Sequence, residues 1–488
     1  MSDAAASGSA AAGRTAVAAD WWLVLAMTAA SAMALFDVTA FGVALPSLRE
    51  GLGLSAGTAS WVVNAYIVAV TALTALGGRL ADRLNGLTVF QCGAALFAIA
   101  SLACGLAPTA PEIAGPWLIA FRALQGAGGA LMLPAALAAV VAAVPADRRG
   151  RAVSLYIGAG QVLFILGPIA GGLLTQELSW RAIFLVAVPL SAAAIAMTRL
   201  RGRRIAGAAA RPAEGPLLRW TALPLIAGLA LIALALERGG DWGWLSWQSL
   251  AAFGFGTTAL AVAVRQEWRA PDPMVQLHLL RQRHFSLHLA TLCLLQTVTI
   301  GVLTFAPIYF QKMLGLSPSD AGLVMLAFVA GWAGMVPMAG WLHDRLGPAR
   351  PKLAGAVLAL AGMAWWWWSL PHLGPAAQLP AMALAGVGVG LSILPSNTAA
   401  IGAAPPQGRA AAVGLIQTVR QSGGMIAVAL LGGLFLDTAG GAGSSAAALD
   451  AAQLGFAVLL TATAVNLPVA LLGLRGAPPE RGPAAPQR

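Results

Sequence analysis

Charged side chains are scarce in this sequence. Asp, Glu, Lys and Arg make up 10% of its 488 residues, whereas soluble domains use about 25%. Hydrophobic residues reach 59%, above the roughly 45 to 50% of soluble proteins. The composition excludes a water-soluble globular protein and predicts one that is embedded in a membrane.

Cysteine and histidine are also rare, and the few present are not grouped for chemistry. Two of the three cysteines, Cys92 and Cys104, lie on one predicted helix about 18 Å apart, too far to form a disulfide. His284 and His288 have helical i, i+4 spacing, but no third metal ligand follows nearby. Nucleotide-binding loops and catalytic carboxylate clusters are also missing. We therefore expect no metal, no cofactor and no enzymatic activity.

What the sequence has instead is a series of fourteen apolar runs, most of them about 20 residues long. A helix of that length crosses a hydrocarbon core of about 30 Å. We therefore predict an all-α integral membrane protein with fourteen transmembrane helices. The predicted spans are residues 21–45, 58–76, 87–107, 113–143, 152–175, 180–198, 217–236, 248–264, 285–310, 321–342, 353–370, 379–401, 410–436 and 454–474.

The net charge of +11 is unevenly distributed between the loops of this predicted topology. With the N-terminus inside, the inner regions hold 23 of the 29 Lys and Arg residues, the outer loops hold four, and Arg122 and Arg420 fall within spans. Such a bias predicts that both termini are cytoplasmic. The basic charge is therefore explained by topology, and we expect no nucleic-acid partner.

Four sequence landmarks recur at a nearly constant spacing. GRLADRLNG at Gly78 resembles GWLHDRLGP at Gly340, 262 positions later, and three further pairs of segments are separated by 261. Two copies of a six-helix unit, with two helices inserted between them, would rock around a central cavity. The predicted division is a disordered cytoplasmic tail at 1–20, an N-terminal lobe at 21–200, a two-helix linker at 201–284, a C-terminal lobe at 285–474 and a second cytoplasmic tail at 475–488.

The motifs, taken in order, resemble those of the major facilitator superfamily, and in particular its fourteen-span drug:proton antiporters. They are LFDVTAFGVALP in the first span, GRLADRL between the second and third, RALQGAGGALMLP in the fourth, GPIAGG in the fifth and SWRAIFLVAVP entering the sixth. The resemblance covers about residues 20 to 475.

This resemblance implies a proton-coupled transporter of the inner membrane that exports amphipathic drugs or other small toxic compounds. The expected coupling ion is the proton, and the expected partners are a small-molecule substrate and the lipid bilayer. Periplasmic adaptor proteins are a further candidate partner, and we expect a monomer. A proton-linked carrier of an anionic metabolite or siderophore-like compound is the alternative. A membrane-embedded enzyme or a non-transporting sensor would need catalytic clusters or a soluble output domain, which we do not find.

One acid lies deep within an apolar span. Asp37 is the only charged residue between Trp21 and Ser47, about 24 Å from the inner end of its helix. Removal from water favours the protonated carboxyl, so Asp37 is the candidate proton-coupling acid. Arg122 enters its span from the outside to a similar depth, and a positive neighbour would favour the ionised carboxylate. A hydrogen bond between protonated Asp37 and a neighbouring helix, and an Arg122 that extends to the outer surface, are the alternatives.

Other polar residues within the spans are candidates for the substrate cavity, or alternatively for hydrogen bonds between helices. Arg420 lies near the centre of its span, where it would neutralise a carboxylate, line the translocation path or favour an anionic substrate. A hydrogen bond to carbonyls between the lobes is the alternative. The candidates are Asn64, Gln125, Gln161, Gln296, Asn397, Gln417, Arg420 and Gln421.

Two further groups of residues carry structural predictions. The matching inner turns are predicted to latch the lobes, because a carboxylate there can cap a helix of the opposite lobe; they contain Gly78, Asp82, Arg83, Gly340, Asp344 and Arg345. The fifth-span motif is predicted to allow close packing of helices; it contains Gly167, Pro168, Gly171 and Gly172.

Overall fold

The computed structural model describes residues 20–145, 148–201, 222–270, 277–372, 374–403, 409–438 and 445–474. Both predicted tails therefore lie outside the described residues, apart from Asp20. The described chain forms fourteen α-helices of 20 to 32 residues. They are α1 Trp21–Leu52, α2 Ala56–Arg83, α3 Gly86–Gly105, α4 Pro111–Ala142, α5 Arg149–Leu173, α6 Arg181–Arg201, α7 Ala222–Trp242, α8 Trp247–Arg269, α9 Arg283–Ile308, α10 Pro318–Leu346, α11 Ala349–Ser369, α12 Pro375–Ala403, α13 Arg409–Thr438 and α14 Ser445–Leu474.

Most helices extend beyond the predicted apolar spans. Polar residues at the starts of several helices account for part of the difference, because a side-chain oxygen can satisfy a free backbone N–H there. Asp20 accepts a hydrogen bond from the Leu23 backbone at 3.2 Å, and Ser55 accepts one from Thr58 at 3.2 Å. Gly53 ends α1 in the left-handed conformation, with φ of 61°, which glycine adopts without a steric penalty.

The described residues form helices and no strands. Eleven of the helices are long and apolar enough to cross a membrane. The remaining three are α7, α11 and α13. The all-helical class and the multi-pass character are thus confirmed.

The same set of helix contacts occurs twice along the chain. In the first six helices, α1 packs on α5 and α6, α3 packs on α4 and α6, and α2 packs on α4. In the last six, α9 packs on α13 and α14, α11 packs on α12 and α14, and α10 packs on α12. Adding eight to each number of the first set gives the second. We call α1 to α6 the N-terminal group and α9 to α14 the C-terminal group.

The N-terminal and C-terminal groups contact each other mainly through three pairs of helices. Helix α2 packs on α13, α5 packs on α10, and α1 packs on α9. Helix α7 contacts both α2 and α13, and α8 packs on α7. The two inserted helices therefore lie against the junction of α2 and α13.

Contacts between the groups are concentrated in the half of the helices that is predicted to face outward. The amide of Gln311 donates to the Val43 carbonyl at 2.8 Å, and Lys312 pairs with Glu50. A side chain on Gly42 would collide with the backbone carbonyl of Leu303. We name this end of the molecule the predicted outer face, and the opposite end the predicted inner face.

Candidate functional site

The fourth-span motif positions two polar side chains of α4 in the middle of the N-terminal group. Glycines on α4 bring it into backbone contact with its neighbours. A Cβ on Gly126 would lie 2.9 Å from the Ala69 side chain on α2, and one on Gly128 would lie 2.9 Å from the Phe97 Cα on α3. Because only a hydrogen fits at these positions, α4 lies closely between α2 and α3 and points Arg122 and Gln125 inward.

Arg122 and Asp37 form a buried ion pair. Arg122 Nη1 donates to Asp37 Oδ2 at 2.6 Å. The two residues are 2% and 3% exposed, respectively. Arg122 therefore does not extend to the outer surface, and α1 and α4 are joined by charge at the centre of the N-terminal group.

Gln125 connects this ion pair to a third helix. Its Nε2 donates to Asp37 Oδ1 at 3.3 Å and to Ser101 Oγ at 2.8 Å. Its Oε1 accepts from Arg122 Nη1 at 2.6 Å, and Arg122 Nε donates to the Val62 carbonyl of α2 at 3.2 Å. Four helices thus contribute to one hydrogen-bonded network.

Aromatic rings surround the guanidinium. The Arg122 Cζ lies 4.4 Å from the ring centre of Tyr66, 4.6 Å from that of Phe41 and 5.9 Å from that of Phe184. A cation is attracted to the face of an aromatic ring, most strongly where water is excluded. The rings therefore stabilise the Arg122 charge and separate the pair from water. We call Asp37, Arg122, Gln125, Ser101 and Tyr66 the N-terminal polar cluster.

This arrangement can hold or release a proton at a defined atom. The ionised carboxylate of Asp37 accepts hydrogen bonds from Arg122 and Gln125. A proton on Asp37 would cancel its attraction to Arg122 and leave that guanidinium as an uncompensated buried charge, which is costly. The paired charges therefore hold α1 against α4.

The C-terminal group has a polar region of its own on α9 and α13. Gln296 Nε2 donates to Gln421 Oε1 at 3.0 Å, and Thr297 Oγ1 donates to the Gly423 carbonyl at 3.0 Å. The neighbouring Arg420 has a buried Nε without a hydrogen-bond partner among the described residues. The sequence-predicted residues Gln296 and Gln421 therefore contact each other. Arg420 Nε has no described partner and can donate a hydrogen bond to a ligand.

The remaining cavity candidates do not form one cluster in the described contacts. Asn64 is fully buried, and neither polar atom of its side chain has a described partner. Gln417 and Asn397 are half-buried. Gln125, a predicted cavity residue, lies inside the N-terminal polar cluster. Of Gln161 the structure describes only the helical backbone.

The predicted packing role of the fifth-span motif agrees with its contacts. A Cβ on Gly171 would lie 2.7 Å from the Ala40 Cα of α1. A Cβ on Gly172 would lie 2.9 Å from the Ser319 Cα of α10. The Pro168 carbonyl lies against Gly322. Helix α5 thus approaches α1 within its own group and α10 across the junction between the groups.

The predicted inner latch is only partly described. The side chains of Asp82, Arg83 and Asp344 lie outside the described atoms, so their capping role stays a prediction. Arg345 is exposed, and its guanidinium lies 4.1 Å from the ring centre of Trp341 on its own helix. No close helix contact occurs at Gly78 or Gly340. A Cβ added there would have its nearest neighbouring atom at the ordinary van der Waals distances of 3.9 and 3.4 Å, respectively.

The close approach in the first turn occurs at Gly77, not at Gly78. A Cβ on Gly77 would lie 2.9 Å from the Ala130 carbonyl carbon of α4. The sequence motif does not indicate which of these two glycines makes the close contact.

Sequence reasoning also missed Ser101 and Tyr66. Each lies in a helix that carries other polar side chains, such as Asn64 in α2 and Gln91 in α3, so the sequence offers no signal that distinguishes them. Ser101 is fully buried and Tyr66 is 3% exposed. Their place beside Asp37 follows from helix packing, which no local pattern in the sequence encodes.

The repeated helix contacts, the apolar surface and the buried charge pair define a polytopic membrane transporter. The family model described as "Major Facilitator Superfamily" matches residues 27–428. The chain belongs to this superfamily, which confirms the assignment made from the motifs.

Related proteins cover most of the chain. A methylenomycin A resistance protein of Streptomyces coelicolor is 32% identical over 84% of this chain and 84% of its own length. A cephamycin export protein of Amycolatopsis lactamdurans is 33% identical over 94% of this chain and 93% of its own. The crystal structure of a D-xylose–proton symporter has the same fold, with a TM-score of 0.65 at 15% identity over 94% of this chain and 98% of that one.

Proposed function

We propose that the chain is a proton-coupled antiporter that exports amphipathic drugs or other small toxic compounds by alternating access. The proton is the coupling ion, and Asp37 is the residue that carries it. The observation that supports this role is the Asp37–Arg122 pair, buried at the centre of the N-terminal group. Relatives named for antibiotic resistance and antibiotic export support the substrate class.

The contacts between the two groups suggest how the proton is controlled. They close the predicted outer face through Gln311 and Val43, through Lys312 and Glu50, and through Gly172 and Ser319. Asp37 is sealed from water in this conformation, so proton exchange requires the groups to move. We infer that opening toward the outside exposes Asp37, and that its protonation loosens the bond between α1 and α4.

Proton-driven transport in inverted membrane vesicles tests this proposal. A panel of cationic, neutral and anionic amphipathic compounds is offered with and without an imposed proton gradient. The wild type is expected to accumulate one or more compounds, and an ionophore that collapses the gradient should abolish accumulation. Asp37→Asn should reduce gradient-driven uptake at least tenfold while substrate exchange without a gradient continues. Full gradient-driven uptake by Asp37→Asn would refute the coupling role.

A second candidate function is supported by Arg420. Its buried Nε lacks a described partner, while Arg122 is neutralised by Asp37. An anionic metabolite or siderophore-like compound could bind to the Arg420 guanidinium. Arg420→Gln should then shift the transported panel from anions toward cations, and an unchanged substrate profile would argue against this alternative.

The finer topology is also part of the proposal. We propose fourteen spans with both termini cytoplasmic in the inner membrane, two six-helix lobes at 21–200 and 285–474, and a monomeric carrier. Periplasmic adaptor proteins are proposed as partners at the outer face. Impermeant thiol reagents test the topology: a cysteine at Leu245 should react from outside and one at Leu200 from inside, since both side chains are exposed.

A further inference from the structure

Four basic side chains of the C-terminal group gather at its predicted inner face. They are His284 and His288 in the first two turns of α9, His343 in the last turn of α10 and Lys352 in the first turn of α11. Lys352 is 1% exposed, and its Nζ has no hydrogen-bond partner among the described residues. Nδ1 of His288 and Nδ1 of His343 are also buried without a described partner.

The helices that carry these groups are neighbours. Helix α10 packs on both α9 and α11, and α14 also packs on α9 and α11. The Lys352 Nζ lies 3.3 Å from the point where Gly473 of α14 would carry a Cβ, so the amine lies against the end of that helix. The first turns of α9 and α11, the last turn of α10 and the end of α14 therefore lie around one small region of the predicted inner face.

The position of Lys352 is fixed by its backbone. Its carbonyl accepts a hydrogen bond from Ser392 Oγ of α12 at 3.0 Å. This bond holds the backbone of Lys352 against α12. The first turn of α11 adds the positive end of a helix dipole to the same region, and no side chain caps that end.

A buried ammonium group with none of its hydrogens bonded is unfavourable unless an anion compensates it. No acid side chain among the described contacts does so. A phosphate group offers several oxygens to donors that arrive from different helices. Basic pockets between helices on the cytoplasmic side of a membrane bind phospholipid headgroups.

The surroundings suit a phosphate that arrives from the lipid. Leu471 and Leu472 on the last turn of α14 are 45% and 40% exposed, which gives an apolar surface next to the amine. Arg283 is exposed at the start of α9. An acyl chain could lie against the leucines while its headgroup enters between the helices.

We propose that Lys352, His288 and His343 form a binding site for a phosphate group, supplied by an anionic phospholipid headgroup or by free phosphate, at the predicted inner face of the C-terminal group. Its occupation connects α9, α10, α11 and α14. The site stabilises this group of helices and is separate from the N-terminal polar cluster.

Thermal unfolding of the purified full-length protein in detergent, followed by tryptophan fluorescence, tests the site. The additions are phosphatidylglycerol, phosphatidylcholine and inorganic phosphate in separate samples. A ligand that binds only the folded state raises the melting temperature. Phosphatidylglycerol should raise it by at least about 2 °C and phosphatidylcholine should not. A similar rise with inorganic phosphate identifies any phosphate as the ligand, whereas no rise identifies the lipid as the source.

Variants distinguish binding at the proposed site from a general effect of positive charge on the melting temperature. Lys352→Met should abolish the response to phosphatidylglycerol, and it should raise the melting temperature of the ligand-free protein because the buried amine is gone. Lys352→Arg should retain part of the response. Arg350→Gln, which removes an exposed charge two positions away, is the matched control and should respond like the wild type. An equal response of Lys352→Met and the wild type, or no response of the wild type, would overturn the proposal. If Lys352→Met does not fold, His343→Leu decides in the same way.

Discussion

At the scale of single residues, the fold is organised around charge that has been taken out of water. Asp37 and Arg122 were both identifiable from the sequence, because each interrupts an apolar span. Their direct pairing was not, since 85 positions separate them and their distance depends on how α1 packs against α4. The same limitation applies to Ser101, whose role follows only from the hydrogen bond that it accepts from Gln125.

The hydrogen bond between Gln125 and Ser101 should contribute to stability. Ser101→Ala removes the acceptor and leaves a buried Gln125 N–H unsatisfied, which costs about 1 to 3 kcal/mol. The melting temperature of the purified protein should fall accordingly. Thr461→Ala, which removes an exposed hydroxyl bonded only to its own helix at 2.8 Å, is the control and should have little effect. An equal effect of both substitutions would show that the network does not stabilise the group.

Arginine is required at position 122 for its geometry as well as its charge. Its Nη1 and Nε reach Asp37, Gln125 and the Val62 carbonyl at once, and lysine cannot reproduce that fork. Arg122→Lys should therefore lower gradient-driven transport at least tenfold in vesicles. Arg199→Lys, at an exposed position of α6, should transport normally. Normal transport by Arg122→Lys would show that charge alone is sufficient.

At the scale of helices, the apolar runs predicted the number and order of the elements better than their ends. Several helices begin at polar N-caps such as Asp20 and Ser55, which hydropathy does not detect. The glycine motifs predicted close packing of helices. They did not indicate the partner of each glycine, because contact with α1, α10 or α2 depends on the direction in which each residue points.

Close packing of α5 on α1 predicts a specific sensitivity to small side chains. Gly171→Ala places a methyl group 2.7 Å from the Ala40 Cα, so α1 and α5 must separate. The melting temperature should fall by several degrees, and transport should fall with it. Gly158→Ala on the same helix meets no atom within 4 Å and serves as the matched control. If the two variants unfold at the same temperature, α5 and α1 are not packed as described.

At the scale of the whole molecule, two groups with the same helix contacts meet at the predicted outer face. The constant spacing of about 261 residues between sequence landmarks predicted two copies of one unit. It could not predict which end of the two groups closes, because alternating access requires one sequence to adopt both arrangements. The contacts of Gln311, Lys312 and Gly172 describe one of these arrangements.

Closure of the outer face can be followed with a pair of cysteines. Glu50→Cys combined with Lys312→Cys replaces an ion pair between α1 and the segment after α9, so a short cross-linker should join the two residues efficiently in the resting protein. An inwardly directed proton gradient together with substrate should change the cross-linking yield. A yield that never changes during transport would contradict movement of the two groups.

The central claim is that Asp37 carries the proton that drives export, and proton release tests it most directly. The purified protein is placed in weakly buffered detergent solution with a pH-sensitive dye, and a compound identified in the vesicle panel is added. The wild type should release protons as substrate binds. Asp37→Asn should still bind the substrate, as measured by tryptophan fluorescence, and should release none. Release of as many protons per bound substrate by Asp37→Asn as by the wild type would contradict the account.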